Sequence, residues 1–463
     1  MDLRVTKGLS VLLAVVILSA CESILPYRPV PPTVSAVPAV TTSTLAPGDL
    51  EMTISGCSAP PVTFALLCEV VDLLGSNHVQ PPDNAALAAA ATAAVRNYES
   101  TETQDLPRSI TCAVPGREFV SFCEAVEKRM ETDLVPLLPM VESAVASMLH
   151  DTVDPYTMYI PPELSGAMGE DGIIPGLNIV VGALTPAGSP CVRIEPGCPL
   201  QVITVLADGP ADVAGLESGD LIETVDGRDV HGLSVIEVAG LISGDAGTTL
   251  KLEITRDGFP LSVEVVRTDA PTAPITAEMV GNTGYIRLPE FGYDTHLYFH
   301  SALRSLIDAG ARRLVLDLRD NPGGFLFSVS IIGSEFFGSG LLYRTAGPLE
   351  SLDYPAVEGG IAHSIPTITL VNASSASAAE ILAAVLQERN RSVIVGEPTY
   401  GKNLVQVPFE LHNGGMFRVT TSRWTTPDGA SVEGTGVVPD VLLDLGSELT
   451  VSELVDAAVS VGG

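Results

Sequence analysis

The sequence predicts an α/β layered domain in its C-terminal part, preceded by a β-rich domain and, before that, a largely helical segment. Apolar runs typical of strands alternate with runs typical of helices from about residue 275 to 445. That alternation is typical of a layered α/β domain. From about 173 to 268 the apolar runs are short and separated by glycine-containing turns, which indicates strands. Residues near 60 to 150 have the apolar spacing of helices.

A chain of 463 residues is long enough for two or three domains, each with its own core. The α/β domain is predicted from strand-like runs such as Gly284–Leu288 and Thr367–Val371 and from helix-like runs such as His296–Ala309 and Ala376–Glu388. We divide the chain into five segments, with bounds at 1–21, 22–48, 49–172, 173–270 and 271–463.

The first 21 residues have the features of a targeting segment. Arg4 and Lys7 precede an apolar run, Leu9–Leu18, that is too short to span a bilayer comfortably. The run ends in Leu-Ser-Ala before Cys21, which resembles a bacterial lipoprotein signal. We therefore expect lipidation at Cys21 and a lipid-anchored, extracytoplasmic place in the cell envelope. An ordinary signal peptide or an uncleaved anchor is the alternative. Residues 22–48, rich in Pro and Thr, then form a tether from the membrane.

The other six cysteines form three locally spaced pairs, which favours an oxidising compartment. The pairs are Cys57 with Cys68, Cys112 with Cys123, and Cys191 with Cys198. This pairing is inferred from proximity alone. No histidines complete a zinc ligand set beside these pairs, so we expect no metal there. The formal net charge of −32 argues against nucleic acid as a partner, because a polyanion would be repelled.

Two motifs in the β-rich segment resemble a PDZ domain of the bacterial protease type. Gly209–Leu216 (GPADVAGL) is followed by Gly219-Asp220 and a strand-like run. Gly176, Leu177, Asn178 and Ile179 match the position of the carboxylate-binding loop, where N–H groups hold a peptide's C-terminus while the peptide adds as a strand. Cys191 and Cys198 would close an inserted hairpin. The alternative is a β-rich spacer.

Several motifs of the last segment occur in one order that resembles the carboxyl-terminal processing (tail-specific) serine peptidases, with likeness over about residues 150 to 445. The motifs are Leu316–Gly324 (LDLRDNPGG), Ser375–Glu380 (SASAAE), Gly396–Lys402 (GEPTYGK) and Thr426–Gly429 (TPDG) followed by Val438–Val441 (VPDV). The resemblance implies a crotonase-like layered protease core with an inserted PDZ domain.

The resemblance assigns Ser377 as the nucleophile at the start of a helix, and Lys402 as its general base. A serine hydroxyl needs a group to take its proton, and a neutral lysine can do so where burial lowers its pKa. No histidine lies in a nucleophile motif, and no Gly-x-Ser-x-Gly elbow occurs. The alternatives are a helix-capping serine, a role that Ser374 or Ser375 fits better, and a surface lysine.

The same resemblance assigns supporting roles. Gln406 would orient Lys402, since even spacing on a strand places both side chains on one face. The oxyanion hole would combine the N–H of Ala378 with that of Gly323 or Gly324, and a simple turn is the alternative for the glycines. Glu388 stands where family members commonly have an aspartate, which leaves its supporting role open.

The sequence thus predicts a lipid-anchored serine endopeptidase that cleaves proteins recognised by accessible C-terminal tails through the PDZ domain. No metal, nucleotide or other cofactor is implied. An activating partner or a homo-oligomer is left open. A catalytically silent PDZ scaffold of the cell envelope is the alternative, while a serine–lysine β-lactam-binding protein lacks its Ser-x-x-Lys and Lys-Thr-Gly motifs.

Overall fold

The computed structural model describes residues 50–100, 109–154, 156–164, 174, 176–183, 193–206, 209–268, 275–444 and 449–462. The predicted signal segment, the tether, Cys21 and Cys191 lie outside these residues. Within them, none of the helices combines the length and the apolar character that crossing a membrane requires.

In its described residues, the N-terminal region joins four α-helices to a two-stranded sheet. Its elements are β1 (Glu51–Gly56), α1 (Val62–Asn77), α2 (Asn84–Asn97), β2 (Ser109–Val114), α3 (Val120–Asp133), α4 (Leu137–Thr152) and β3 (Met158–Ile160). The parallel β1–β2 pair was not expected from the helical pattern. Strand β1 (EMTISG) alternates polar and apolar residues, a strand signal that the helical interpretation of this region passed over.

Two disulfides fasten these strands to the helices beside them. Cys57, just after β1, is bonded to Cys68 in α1, and Cys112 in β2 is bonded to Cys123 in α3. Cys198 is also disulfide-bonded. The Cys57–Cys68 and Cys112–Cys123 bonds restrict the unfolded chain and so stabilise the N-terminal region.

As far as its residues are described, the β-rich domain is an antiparallel sheet with two α-helices. Its elements are β4 (Ile179–Ala183), β5 (Leu200–Val205), α5 (Pro210–Val213), β6 (Leu221–Val225), β7 (Arg228–Asp229), α6 (Val235–Ile242), β8 (Thr249–Arg256) and β9 (Phe259–Val266). The strand order is β4-β5-β6-β8-β9, with β7 beside β6. Among the described residues β4 is therefore an edge strand, and α6 packs near it.

The C-terminal domain is a layered α/β structure around a six-stranded sheet. Its elements are β10 (Thr276–Val280), β11 (Thr283–Arg287), α7 (Thr295–Asp308), β12 (Arg313–Asp317), α8 (Leu326–Ser334), β13 (Leu341–Ala346), β14 (Ser351–Pro355), β15 (Thr367–Val371), α9 (Ala378–Glu388), β16 (Ser392–Gly396), β17 (Leu404–Glu410), β18 (Met416–Thr425), β19 (Val441–Leu442) and α10 (Val451–Gly462). The sheet order is β10-β11-β12-β15-β16-β19, parallel except for the β10–β11 pair.

Strand β12 shows why the sequence forms layers. Leu314 and Leu316 face the core shared with α7, α8 and α9, while Val315 faces the core shared with α10. A strand buried on both faces is apolar at successive positions, as parallel strands between helical layers are. The carboxyl ends of β12, β15 and β16 consequently lie at one edge of the sheet.

A second sheet joins the C-terminal domain to the N-terminal region. Its order is β14-β13-β18-β17, and β3 pairs with β18. The N–H of Val79, just beyond α1, donates to the carbonyl of Thr420 in β18 at 2.8 Å. Phe417 and Val419 of β18 also belong to the hydrophobic core of the N-terminal helices. The N-terminal region is therefore built onto the strand beside the predicted catalytic residues.

Candidate active site

Ser377 lies between β15 and α9 in an unusual backbone conformation. Its φ is 53° and its ψ is −115°, a combination that residues other than glycine adopt only at an energetic cost. We expected it inside the helix, but α9 begins at Ala378, so Ser377 is the N-cap residue. Neighbouring bonds hold this turn: Ala376 N donates to Asn321 O at 2.9 Å, and Ser375 Oγ donates to Leu318 O at 2.8 Å.

The two glycines predicted for the oxyanion hole lie against this turn. Gly323 and Gly324 have φ values of 104° and 132°. A Cβ on Gly323 would lie 2.7 Å from Ser377 Cβ and 2.9 Å from Ala378 N, so only glycine allows this approach. Gly323 N donates to Asn321 Oδ1 at 2.8 Å, which commits that N–H to the loop. Of the two glycines, Gly324 is thus the better candidate donor to a substrate.

Lys402 lies in the loop between β16 and β17, and one buried carboxylate joins this loop to Ser377. Glu380 Oε2 accepts the N–H groups of both Ser377 and Lys402, each at 2.9 Å. Glu380 Oε1 accepts Gly401 N at 2.6 Å and Thr399 Oγ1 at 2.5 Å. The main chains of the predicted nucleophile and base are therefore held by the same side chain.

The sequence motifs did not predict a role for Glu380. Burial raises its pKa, and its four hydrogen bonds act in the opposite direction. The spacing Ser377-x-x-Glu380 is that of a capping box, in which the third residue of the helix returns to the N-cap amide. That signal could have revealed the bond to Ser377, but the bonds to residues 399–402 depend on the tertiary fold.

The environment of Lys402 lowers its pKa to about 8. Burial of the ammonium is the main cause, and the positive charge of Arg418 adds to it, while Asp154 and Glu380 oppose it. The Nζ atom lies 4.5 Å from the centre of the Tyr156 ring. A cation over an aromatic ring is stabilised, yet burial outweighs that effect. The lysine can therefore exist as a neutral amine near neutral pH.

Gln406 does not stand on one strand with Lys402, as the even spacing had suggested. Strand β17 begins only at Leu404, and a bulge between Val405 and Gln406 shifts its register against β18. A bulge re-aims the side chains that follow it, so spacing alone does not fix the face. Gln406 Nε2 donates to Thr420 Oγ1 at 3.2 Å. The role of Gln406 remains a prediction.

Glu388 lies at the other end of α9 from Ser377. Eleven residues at about 1.5 Å each separate the two by roughly 16 Å. Its Oε1 accepts the N–H of Asp428 at 3.0 Å, which joins the helix end to the Thr426–Gly429 turn. In this position Glu388 supports a turn and does not face the nucleophile.

The predicted carboxylate-binding loop precedes the edge strand β4. Gly176 and Asn178 have positive φ values of 88° and 61°. Leu177 is buried and its carbonyl accepts Ala211 N at 3.3 Å, while Ile179 begins β4. The β-rich domain also touches the loop before the nucleophile, since Ser374 Oγ donates to Ile203 O in β5 at 3.5 Å.

Comparison with known proteins identifies the class. A family model described as "Peptidase family S41" matches residues 282–443, and a PDZ domain model matches residues 201–256. The carboxy-terminal-processing protease of Bartonella bacilliformis is 31% identical, over 66% of this chain and 70% of that protein. The carboxyl-terminal-processing protease of Synechocystis sp. is 32% identical, over 65% of this chain and 70% of that protein.

The fold agrees with this class. The solved photosystem II D1 C-terminal processing protease superposes with a TM-score of 0.60 and 25% identity, covering 83% of this chain and 93% of that one. The protein is thus a serine-type peptidase that contains a PDZ domain. It belongs to peptidase family S41, among the carboxyl-terminal processing proteases. The predictions of fold class, family and enzyme class are confirmed.

Proposed function

We propose that this protein is a lipid-anchored, extracytoplasmic endopeptidase that uses Ser377 and Lys402 to cleave proteins recognised by their C-terminal tails. The observation that carries the proposal is the position of Glu380. Its carboxylate accepts the amides of both residues and so ties their main chains to one side chain, and burial lowers the pKa of Lys402 to about 8.

In the proposed mechanism, neutral Lys402 takes the proton of the Ser377 hydroxyl as Oγ attacks the scissile carbonyl. The N–H groups of Ala378 and Gly324 stabilise the resulting oxyanion. Collapse breaks the C–N bond, and the leaving amine takes the proton from the Lys402 ammonium. Water then attacks the acyl-enzyme and gives a proton to Lys402, which passes it to Ser377 Oγ as the acid product leaves.

The PDZ domain would supply tail recognition. Among the described residues β4 is an edge strand whose first residue, Ile179, is bridged to Ile174, and an extended peptide can add to the edge beyond that bridge. The loop Gly176–Ile179 lies at the start of that strand, where a terminal carboxylate would be bound. The contact of Ser374 with Ile203 joins this domain to the nucleophile loop, which supports a role for tail binding in activity.

The proposed location rests on the sequence around Cys21. The disulfides Cys57–Cys68 and Cys112–Cys123 support an oxidising compartment, because such bonds are rare in the reducing cytosol. Mass spectrometry of the purified full-length protein would detect a lipid on Cys21. A mature chain that begins elsewhere, without lipid, would contradict this part of the proposal.

The decisive test compares the full-length protein with Ser377→Ala and Lys402→Ala on an unfolded protein that ends in an apolar tail. We expect cleavage by the unaltered protein, and a loss of at least about a thousandfold in each variant. Ser301→Ala and Lys251→Ala, which replace exposed residues, are the matched controls and should retain activity.

The tail of the same substrate tests recognition. Replacing its apolar end with charged residues should slow cleavage by the unaltered protein. If all three proteins bind the tail and none cleaves the substrate, the silent scaffold of the cell envelope is the better interpretation. Cleavage that persists in Ser377→Ala would reject the assigned nucleophile.

A further inference from the structure

A hydrogen-bond network centred on Asp154 connects the N-terminal region to the predicted active site. The Asp154 carboxylate accepts Thr157 Oγ1 at 2.7 Å and Thr420 Oγ1 at 2.9 Å. It also accepts Tyr156 N at 2.8 Å and lies 2.7 Å from His78 Nε2. We call His78, Asp154, Thr157, Thr420 and Gln406 the Asp154 network.

The direction of each bond in the Asp154 network can be assigned. The Gln80 N–H donates to His78 Nδ1 at 3.1 Å, so this ring nitrogen is an acceptor. The proton of the neutral ring is then on Nε2 and is donated to Asp154. His78 is 4% exposed, so its bond to Asp154 is shielded from water. In this state His78 leaves the negative charge of Asp154 uncompensated.

The same reasoning fixes the orientation of the Gln406 amide. Thr420 Oγ1 donates its single proton to Asp154, so toward Gln406 it can only accept. The Gln406 amide must therefore turn Nε2 toward Thr420, as the 3.2 Å bond has it. Its Oε1 then points away from Thr420, where it can accept a hydrogen bond from an ammonium or hydroxyl group.

Asp154 also fixes the aromatic ring beside the lysine. The Tyr156 N–H donates to Asp154 Oδ1, and the Tyr156 ring lies 4.5 Å from Lys402 Nζ. Asp154 therefore acts on Lys402 in two ways: it holds the backbone of Tyr156, whose ring lies over Nζ, and its own negative charge favours the ammonium form.

We propose that Asp154, held by His78 and acting through Thr420, is a positioning residue that sets the Gln406 amide and the charge environment of the base Lys402. This inference rests on the proposed function of Ser377 and Lys402. It gives the N-terminal helical region a specific task, because His78 lies at the end of α1 and completes the network. Reduced order in that region would then change the position of the Gln406 amide and the charge environment of Lys402.

Two variants separate positioning from charge. Thr420→Val removes the hydroxyl between Gln406 and Asp154 but keeps the carboxylate. We expect kcat to fall about 10- to 100-fold with KM changed less than about twofold, since the base is misplaced while binding is not. Thr420→Ser keeps the hydroxyl and should restore most of the activity. Thr369→Val, another buried strand threonine, is the matched control and should be unaffected.

Asp154→Asn removes the charge. The ionisable groups that act on Lys402 are Asp154 and Glu380, which favour its ammonium form, and Arg418, which disfavours it. Tyr156 also faces Lys402, but it stays neutral because burial raises its pKa far above the working range. Loss of the Asp154 charge therefore lowers the lysine pKa, and the acid limb of kcat/KM should move to lower pH. In Thr420→Val, which retains that charge, the limb should stay in place.

His78 is tested by a conservative pair. His78→Gln can still donate to Asp154 and should keep most of the activity, whereas His78→Ala should lower kcat as Thr420→Val does. Thermal unfolding of each variant checks that it is folded. If Asp154→Asn does not fold, the threonine and histidine pairs decide the question.

The proposal is overturned if Thr420→Val and His78→Ala cleave at the unaltered rate, or if a folded Asp154→Asn leaves the acid limb in place. If cleavage in that case still depends on Ser377 and Lys402, the positioning role of Asp154 is rejected and the proposed function is retained. An unaltered protein that does not cleave, or whose cleavage survives Ser377→Ala, rejects the proposed function and this inference together.

Discussion

Lys402 occupies a position that favours its neutral form at a cost to stability. Its pKa is lowered from 10.5 to about 8, mainly because the ammonium is buried. The folded protein thus binds fewer protons here than the unfolded chain between these pH values. The contribution of Lys402 to the free energy of unfolding therefore rises as pH increases from about 8 to 10.5.

Replacing Lys402 with an apolar residue should therefore increase stability while it abolishes activity. We expect Lys402→Met to abolish cleavage and, at pH 7, to raise the free energy of unfolding by about 1–3 kcal/mol, because the buried charge is removed. Denaturant unfolding at pH 7 and pH 10 measures it, and the difference from the unaltered protein should shrink at pH 10. Equal stability of the two proteins at pH 7 would contradict a buried, destabilised ammonium.

The same pKa predicts the pH dependence of cleavage. If Lys402 acts as the base, kcat/KM should rise with pH through about 8, since the neutral amine is the active form. A profile that is flat from pH 6 to 9 would argue against this role for Lys402.

At the scale of elements, the site depends on how α9 meets the loop before β17. Glu380 on α9 is fully buried, and its two oxygens accept four hydrogen bonds from donors on that loop and at Ser377. Glutamine in its place would offer one oxygen and would turn an NH₂ group toward two donors. Such a substitution leaves buried donors without acceptors.

We therefore expect Glu380→Gln to lower kcat about 100-fold or more and to destabilise the protein by about 2–4 kcal/mol. Peptide cleavage and thermal unfolding measure the two effects. Glu388→Gln, at the far end of the same helix, is the matched control and should change either value little. A fully active, stable Glu380→Gln protein would show that the shared carboxylate does not organise the site.

The order of elements in the α/β domain could be predicted because its signals are local. Thr367–Val371 (TITLV) is a fully buried strand made of β-branched residues and leucine, and the predicted strand has the observed bounds. The predicted helix Ala376–Glu388 begins two residues before α9, because Ser377 has a positive φ and packs against Gly323 in a loop held by tertiary hydrogen bonds. The bulge before Gln406 was missed for a similar reason, since register is set by the partner strand β18.

The contacts between regions could not be predicted at all. His78 and Asp154 are 76 residues apart in the chain, and Asp154 and Thr420 are 266 apart. Neither His78 nor Asp154 lies in one of the motifs that predicted the function. Only the fold, which pairs β3 with β18 and packs the N-terminal core onto Phe417, brings them together.

At the scale of the whole molecule, three parts of the chain meet near Ser377. The N-terminal region contacts Lys402 through Tyr156, the PDZ domain contacts the loop before Ser377 through Ile203, and the α/β domain supplies the predicted catalytic groups. Strand β4, to which a tail would bind, pairs with β5, and β5 carries Ile203. Tail binding and catalysis are therefore expected to be coupled.

A free apolar peptide tests that coupling directly. We expect the Ser377→Ala protein to bind a peptide with a free C-terminal carboxylate at least about tenfold more tightly than its amide, because loss of a charge-assisted hydrogen bond costs more than about 1.4 kcal/mol. Calorimetry measures the two affinities. With the unaltered protein, the carboxylate peptide should change the rate at which a substrate without an apolar C-terminal tail is cleaved. The amide peptide is the control. Equal binding of both peptides would reject recognition of the carboxylate, and binding without any change in rate would reject the coupling.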